Sequence, residues 1–337
     1  MTSKPRRLNP RHPGLRRLWP PRLKTLHSSA DESADNFYSE EKTVKRSILG
    51  VLLVLTFVAV GIAAAPPLTF TYSDVHASKT AIETDTYGIN NAGVIVGDYV
   101  DSKSVQRGMI LAGAKLTTIN NSACTAISGL GGISFYAINS AGAAAGWCTS
   151  AKTGLDIGFV YSKGKFTPVN FPKSNGTQAT GINDKGEVVG LYLDSASLTH
   201  GFSKIGTKYT SISVKGGTNT VAWGVNNAGQ ITVYTTNSAG TFDSYLVTGK
   251  VFKKIDNPKA GTTGTIVHAL SNVGDIDGTY YDTSGTEKGW LLHAGKYYDV
   301  VDPGGVSRAD GINDKHALVG RYGSGTFGGT GFKATYK

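Results

Sequence analysis

A short pattern written six times constrains this chain more than any other feature. Its fullest copy, Thr180-Gly181-Ile182-Asn183-Asp184-Lys185-Gly186-Glu187-Val188-Val189-Gly190-Leu191-Tyr192, sets a polar, glycine-closed turn between two apolar runs. That arrangement specifies a β-hairpin. The copies begin at Gly88, Ala137, Gly181, Gly224, Ala269 and Gly311, at intervals of 49, 44, 43, 45 and 42 residues. A period in this range is the mark of a repeat architecture. With 44 glycines and 11 prolines in 337 residues, the composition suits many short strands joined by tight turns.

Each copy divides into four strands, a to d. Strand a ends in a triplet whose first residue is Gly or Ala, whose second is aliphatic and whose third is Asn or Ser, as in Gly88-Ile89-Asn90, Ala269-Leu270-Ser271 and Gly311-Ile312-Asn313. A small first residue is expected where strands crowd toward an axis. Asn is expected to tolerate the left-handed backbone of a tight turn. The turn closes at Gly93, Gly142, Gly186, Gly229 and Gly274, and at His316 in the last copy. Strand b is apolar and in several copies ends in tyrosine (Tyr99, Tyr192, Tyr280, Tyr322), which reads as packing between repeats. Strand c carries Met109, Phe159, Phe202, Tyr245, Trp290 and Phe332; strand d opens seven residues later at Leu116, Phe166, Tyr209, Phe252 and Tyr297. That fixed spacing predicts a short c-to-d hairpin.

The sixth copy has no strand d, because the chain stops at Lys337, while Tyr72-Ser73-Asp74-Val75 before the first copy carries a d pattern with no repeat of its own. An orphan strand at one end and a missing strand at the other are what a closed ring requires. The expected fold is all-β: a six-bladed β-propeller over residues 66–337, closed by pairing of the N-terminal strand with the C-terminal blade.

The triplets, the glycine-closed turns and His200-Gly201-Phe202 in strand c resemble the bacterial HAF-type extracellular repeat family, named for a His-Ala-Phe triplet. The match covers most of residues 68–337 and lies in scaffold positions. Where the third copy has His200, the others carry Arg107, Ile157, Asp243, Lys288 and Thr330. The resemblance implies an exported protein without an established activity and supplies no catalytic residues.

Before the repeats, an apolar run from Ile48 to Ala65 follows Lys42, Lys45 and Arg46 and ends at Ala63-Ala64-Ala65. It reads as a signal peptide over residues 44–65 or as a single N-terminal membrane anchor, since it also reaches roughly the 18 residues that span a bilayer. Both readings leave the repeats extracytoplasmic. Residues 1–43 are basic and without apolar periodicity, which suggests a disordered tail or an over-extended start upstream of Val44. The formal charge of +10 divides into +6 for residues 1–46 and +4 for the rest. With no clustered basic stripe in the repeats, nucleic acid is not an expected partner.

Within the repeats, the d-to-a connection varies most in length, from 14 residues between Tyr297 and Gly311 to 21 between Leu116 and Ala137. Variable loops on a rigid scaffold are the expected binding surface for a glycan, peptide or protein. Cys124 and Cys148 should fall on that same face, either as a disulfide or as two small buried thiols. Asp277 occupies a strand-b position held elsewhere by Val96, Ala145, Val189, Thr232 and Val319, and counting back through the hairpin pairs it with His268. Asp310 is the equivalent of His268 in the next blade. His268, Asp277 and Asp310 are therefore the candidate catalytic residues of a secreted hydrolase or lyase, or a pair satisfying itself inside the blade. Asp275, Asp277 and Asp282 lack the third ligand and terminal Glu of a calcium loop, so no metal or cofactor is expected. The leading expectation is an exported, monomeric binding module; a secreted enzyme and a structural envelope protein are the alternatives.

Overall fold

A computed structural model describes residues 67–124, 132–301, 307–323 and 329–337. The expected leader, residues 1–43 and 44–65, lies outside the described residues. Among the described residues no helix is long and apolar enough to cross a membrane.

The repeats form a six-bladed β-propeller of six four-stranded antiparallel sheets. Blade 1 is typical, with strands Glu83–Ile89, Ile95–Val100, Gln106–Ala112 and Lys115–Ile119 in chain order. Blade 6 takes Ser307–Ile312, Ala317–Tyr322 and Thr330–Tyr336 from the C-terminal end and its fourth strand, Phe70–Val75, from the N-terminal end. The two ends pair antiparallel with Tyr72 opposite Ala334, and the Tyr72 ring meets Phe332 at 5.7 Å. Strands a of neighbouring blades meet around the axis, and strands d lie outermost, with the three polar residues of Lys115–Ile119 exposed.

The first triplet residue is small because backbone packs on backbone there. A Cβ built on Gly88 would lie 2.9 Å from the Cα of Ala137 in blade 2, and one on Gly224 would lie 3.1 Å from the Cα of Ala269 in blade 5. Large c-strand residues fill the space between blades: Met109, Phe202, Trp290 and Phe332 have no exposed surface. Tyr245 of blade 4 is only half-buried.

The structure corrects the expected reason for asparagine in the triplets. The left-handed residue is the glycine that closes the turn (Gly93, φ 77°; Gly186, φ 77°) or His316 (φ 56°), not the Asn. Asn90 instead accepts hydrogen bonds at Oδ1 from the backbone N–H groups of Ala92 and Val94, both at 3.0 Å, an Asx turn that satisfies the chain reversal. Its Nδ2 donates to the carbonyl of Asn139 in the next blade.

The strand-b tyrosines pack between blades, as where Tyr192 stacks on Phe171 at 3.6 Å, and their hydroxyls bond within blades. Tyr99, Tyr192 and Tyr280 reach strand d of their own sheet at Thr118, Ser211 and Asp299. Tyr322 donates to Asp74 on the N-terminal strand at 2.9 Å, so the two ends of the chain are tied by the bond that ties strands b and d elsewhere.

Every strand a carries a register shift one residue before its triplet. Such a β-bulge places two residues opposite one and re-aims a side chain. Asp277 therefore does not face His268 as counting along a regular hairpin suggests. It faces the bulge, and its Oδ1 accepts the backbone N–H of Ala269 at 2.7 Å.

Candidate functional site

The bulges decide what stands at the axis. Tyr87, Tyr136, Thr180, Trp223, His268 and Asp310 occupy this one backbone position in blades 1 to 6. Tyr87 and Tyr136 stack at 4.5 Å, Tyr136 meets Trp223 edge-on at 5.4 Å, and Trp223 lies 4.6 Å from the His268 ring. These rings form a continuous layer across the axis. Tyr87, Tyr136, Thr180 and Trp223 line a cavity of about 100 Å³ that opens among the a-to-b turns.

Two tiers of polar groups surround it. In the inner tier, the triplet asparagines pass Nδ2 donors from blade to blade: Asn90 to the carbonyl of Asn139 at 3.1 Å, Asn139 to that of Asn183 at 3.1 Å, Asn183 to that of Asn226 at 2.9 Å and Asn313 to that of Asn90 at 2.9 Å. The outer tier is formed by the next residue of each blade, Asn91, Ser140, Asp184, Asn227, Asn272 and Asp314, all lining the mouth. Asn227 donates to Asp184 at 2.8 Å, and Asn91 and Asn272 donate to Asp314 at 2.8 and 2.9 Å. The Asn227 amide and the Ser140 donors hold the Asp184 carboxyl below the usual range. Partial burial pushes Asp314 up, but its Asn272 and Asn91 partners outweigh it and leave the carboxyl low as well. The mouth is therefore anionic at neutral pH, with aromatic rings beneath amides and carboxylates.

The three residues singled out from the sequence lie apart from this cavity. His268 is 1% exposed, and Asp277 and Asp310 have no exposed surface. None of the three lines the cavity. His268 Nδ1 donates to the carbonyl of Ala309 at 2.7 Å and stands 3.4 Å from Asp310 Oδ1. Burial takes the His268 pKa down to about 4, overriding Asp310, so its ring is neutral at pH 7. Burial drives Asp277 well up, and its Oδ2 has no hydrogen-bond partner among the described residues.

Two arginines absent from the sequence reading complete this region. Arg308 Nη2 donates to Asp310 Oδ1 at 2.7 Å and reaches within 3.5 Å of His268 Nε2. Arg321 pairs with Asp85 at 3.1 Å and Glu83 at 3.6 Å. Against its burial, Arg308 is held above its ordinary value by Asp310 and Glu287. A signal was available: the strand-a position of Arg308 is held in the other blades by Asp85, Ser134, Gln178, Val221 and Ile266, so Arg308 is its single cation, two residues before Asp310. The result is a buried interior of paired charges beside an aromatic floor.

Cys124 and Cys148 form a disulfide with Cα atoms 5.7 Å apart. It ties the d-to-a connection after blade 1 to strand b of blade 2, Ala144–Thr149, on the face opposite the cavity. Part of that connection, residues 125–131, lies outside the described residues.

No family profile and no curated protein matches the chain. Among solved structures, the putative TolB of Agrobacterium tumefaciens is similar at 13% identity over 64% of this chain and 79% of that one, with a TM-score of 0.48. AofleA of Arthrobotrys oligospora is similar at 9% identity over 75% and 82%, with a TM-score of 0.43. The six-bladed fucose-recognising lectin of Aleuria aurantia is similar at 13% identity over 66% and 78%, with a TM-score of 0.39. At these identities the likeness concerns the fold alone.

Proposed function

We propose that this chain is an exported binding module that receives the end of a neutral glycan in its axial cavity. The observation that carries the reading is the aromatic floor of Tyr87, Tyr136 and Trp223 under a mouth of Asn, Ser and Asp side chains. The C–H face of a sugar ring packs against aromatic surface, and its hydroxyls both donate and accept, which suits a rim of amides and carboxylates. Asp184 and Asp314 disfavour an anionic ligand at the same mouth. A cavity this small takes a terminal residue and leaves the remainder of the ligand outside.

Export agrees with the Cys124–Cys148 disulfide, a bond that persists in oxidising compartments. The d-to-a loop face, where the sequence suggested the ligand, lies at the other end of the axis. A hydrolase reading would need water and substrate at His268, and that residue is enclosed. The HAF-type resemblance is compatible with an exported binding role.

The test is a glycan array followed by titration calorimetry on the full-length chain. Trp223→Ala should lower affinity for the recognised glycan about tenfold, equivalent to about 1.4 kcal/mol, without shifting the thermal transition by more than a few degrees. An array without hits, or a Trp223→Ala variant of unchanged affinity, defeats the proposal.

A further inference from the structure

The largest cluster of metal-ligating side chains among the described residues lies off the axis, where blade 5 meets blade 6. Asp275, His293 and His316 each bring one ligand atom within 4.8 Å of the other two. Asp275 immediately precedes strand b of blade 5, His293 ends strand c of the same blade, and His316 sits in the a-to-b turn of blade 6. They are 18 and 23 residues apart in sequence, a spacing that no local motif would reveal.

Two of the three positions depart from the repeat. The equivalents of His316 are Gly93, Gly142, Gly186, Gly229 and Gly274, and His316 keeps the left-handed backbone those glycines adopt, at φ 56°. A non-glycine residue in that conformation carries some strain, and such strain is retained where the side chain has a use. At the His293 position the other blades carry Ala112, Ser162, Ile205, Thr248 and Thr335. Two histidines foreign to the repeat thus converge on one carboxylate from neighbouring blades.

The surroundings hold the three groups in place. Asp275 Oδ1 accepts from His293 Nδ1 at 2.8 Å, and its Oδ2 accepts from the Tyr336 hydroxyl at 2.7 Å. The His316 ring stacks on Tyr336 at 5.0 Å, and the two histidine rings meet edge to face at 5.4 Å. Asp275 is buried, His293 half-buried and His316 exposed, so the cluster opens to solvent on one side.

We propose that Asp275, His293 and His316 bind a divalent transition-metal ion, zinc foremost, across the junction of blades 5 and 6. Two imidazoles and one carboxylate form a nitrogen and oxygen donor set suited to zinc and unlike the all-oxygen shell of calcium or magnesium. Three protein ligands leave a fourth position for water. The Tyr336 hydroxyl supplies the outer hydrogen bond that orients a ligating carboxylate. Binding replaces the His293–Asp275 hydrogen bond with two metal bonds, so it draws the blades together at a place where the inner amide ring weakens: Ser271 lacks the Nδ2 that asparagine would extend to blade 6.

The experiment titrates zinc chloride into the metal-free, full-length chain without a histidine tag, read by calorimetry, with cobalt(II) absorption reporting the ligand set. The expected result is one ion per chain and visible cobalt bands of low-coordinate nitrogen and oxygen ligation. His316→Gly and His293→Ser restore residues that other blades use, and each should weaken zinc binding about tenfold or more. His316→Gly should at the same time raise the metal-free thermal transition, because it removes the strained backbone, so its loss of zinc cannot be assigned to misfolding. Trp223→Ala should leave zinc binding unchanged, separating this site from the glycan cavity. A wild-type chain that takes up no zinc at micromolar concentration, or a His316→Gly variant with undiminished stoichiometry and affinity, overturns the proposal.

Discussion

One backbone position, the strand-a bulge, is filled six times around the axis, and its side chains divide into two arcs. Blades 1 to 4 place Tyr87, Tyr136, Thr180 and Trp223 there, while blades 5 and 6 place His268 and Asp310. The first arc meets a cavity and satisfies itself with ring contacts and a hydroxyl bond. The second is sealed, with Asp310 ion-paired to Arg308 and the neutral His268 bonded to the carbonyl of Ala309. The backbone is the same in both, so the repeat fixes where a side chain is delivered and leaves its chemistry open. Function can diverge at the bulge because the ladder hydrogen bonds on either side of it are made by backbone, whichever residue occupies it.

The arcs should differ most in what it costs to disturb them. Arg308→Met leaves Asp310, which has no exposed surface, without its closest cation. Breaking a buried pair from one side costs about 3–5 kcal/mol. In the other arc, Thr180 donates to the carbonyl of Ala222 at 2.7 Å and more weakly to that of Val189 at 3.3 Å, and Thr180→Val removes this neutral, shared bond for about 1 kcal/mol. Urea denaturation at pH 7 measures both. Equal losses would mean that the ionic arc is not the charge-dependent structure its geometry implies.

Asp277 offers an opposite effect within the charged arc. Its equivalent in blade 4, Thr232, accepts the bulge N–H of Gly224 at 2.8 Å and donates to the carbonyl of His268. Asp277 makes only the first of these bonds, to Ala269, and leaves Oδ2 without a partner among the described residues. Asp277→Thr should therefore stabilise the fold at pH 7 by about 1–3 kcal/mol, the cost of an unsatisfied buried polar atom. The sign with pH follows from the raised folded pKa. The carboxyl's contribution is fully present below its unfolded value near 3.8 and is lost as pH rises toward the folded one, so the advantage of threonine should grow from pH 4 upward. An advantage that is the same at pH 3.5 and pH 7 would show that Asp277 folds ionised.

The blades were legible in the sequence because every scaffold requirement recurs: Gly88 and Gly224 for backbone contact, Gly93 and Gly186 for the turn, Asp74 and Tyr322 for ring closure. Recurrence exposes a constraint even when its cause is misread, as it was for the triplet asparagines. The bulge was not legible, since strand a is buried along nearly its whole length and offers no alternation for an extra residue to break, and so Asp277 was paired with His268 when it serves Ala269. The cavity was missed for a different reason. Its floor and rim come from the same two positions in several blades, so Trp223 and Asp184 read as scaffold when each is compared only with its own copies. His316 stood out as the one exception among the turn glycines, but its partners Asp275 and His293 are assembled by the packing of blade 6 on blade 5.

The smallest effect belongs to the rim of the open arc. Asp184 accepts from Ser140 N–H at 2.8 Å and Asn227 Nδ2 at 2.8 Å, and the Asn227 bond foremost lowers its pKa. A carboxylate with a depressed folded pKa contributes stability above its unfolded value and loses it as pH falls through the folded one. Because Asp184 is exposed, solvent screens the gain to under about 1 kcal/mol. Asp184→Asn places an amide N–H₂ where donors converge, so the variant should be less stable than wild type at pH 6. The difference should narrow as pH falls from the unfolded value near 3.8 toward the lower folded one, where the wild-type carboxyl takes up its own proton. Urea midpoints at pH 2.5, 4 and 6 measure this, and a difference that persists undiminished at pH 2.5 would mean that the rim is held by shape and not by charge. The same series on Asp277→Thr should run the other way, with the variant's advantage smallest in acid, and opposite slopes from two aspartates of one propeller would separate the open arc from the sealed one in solution.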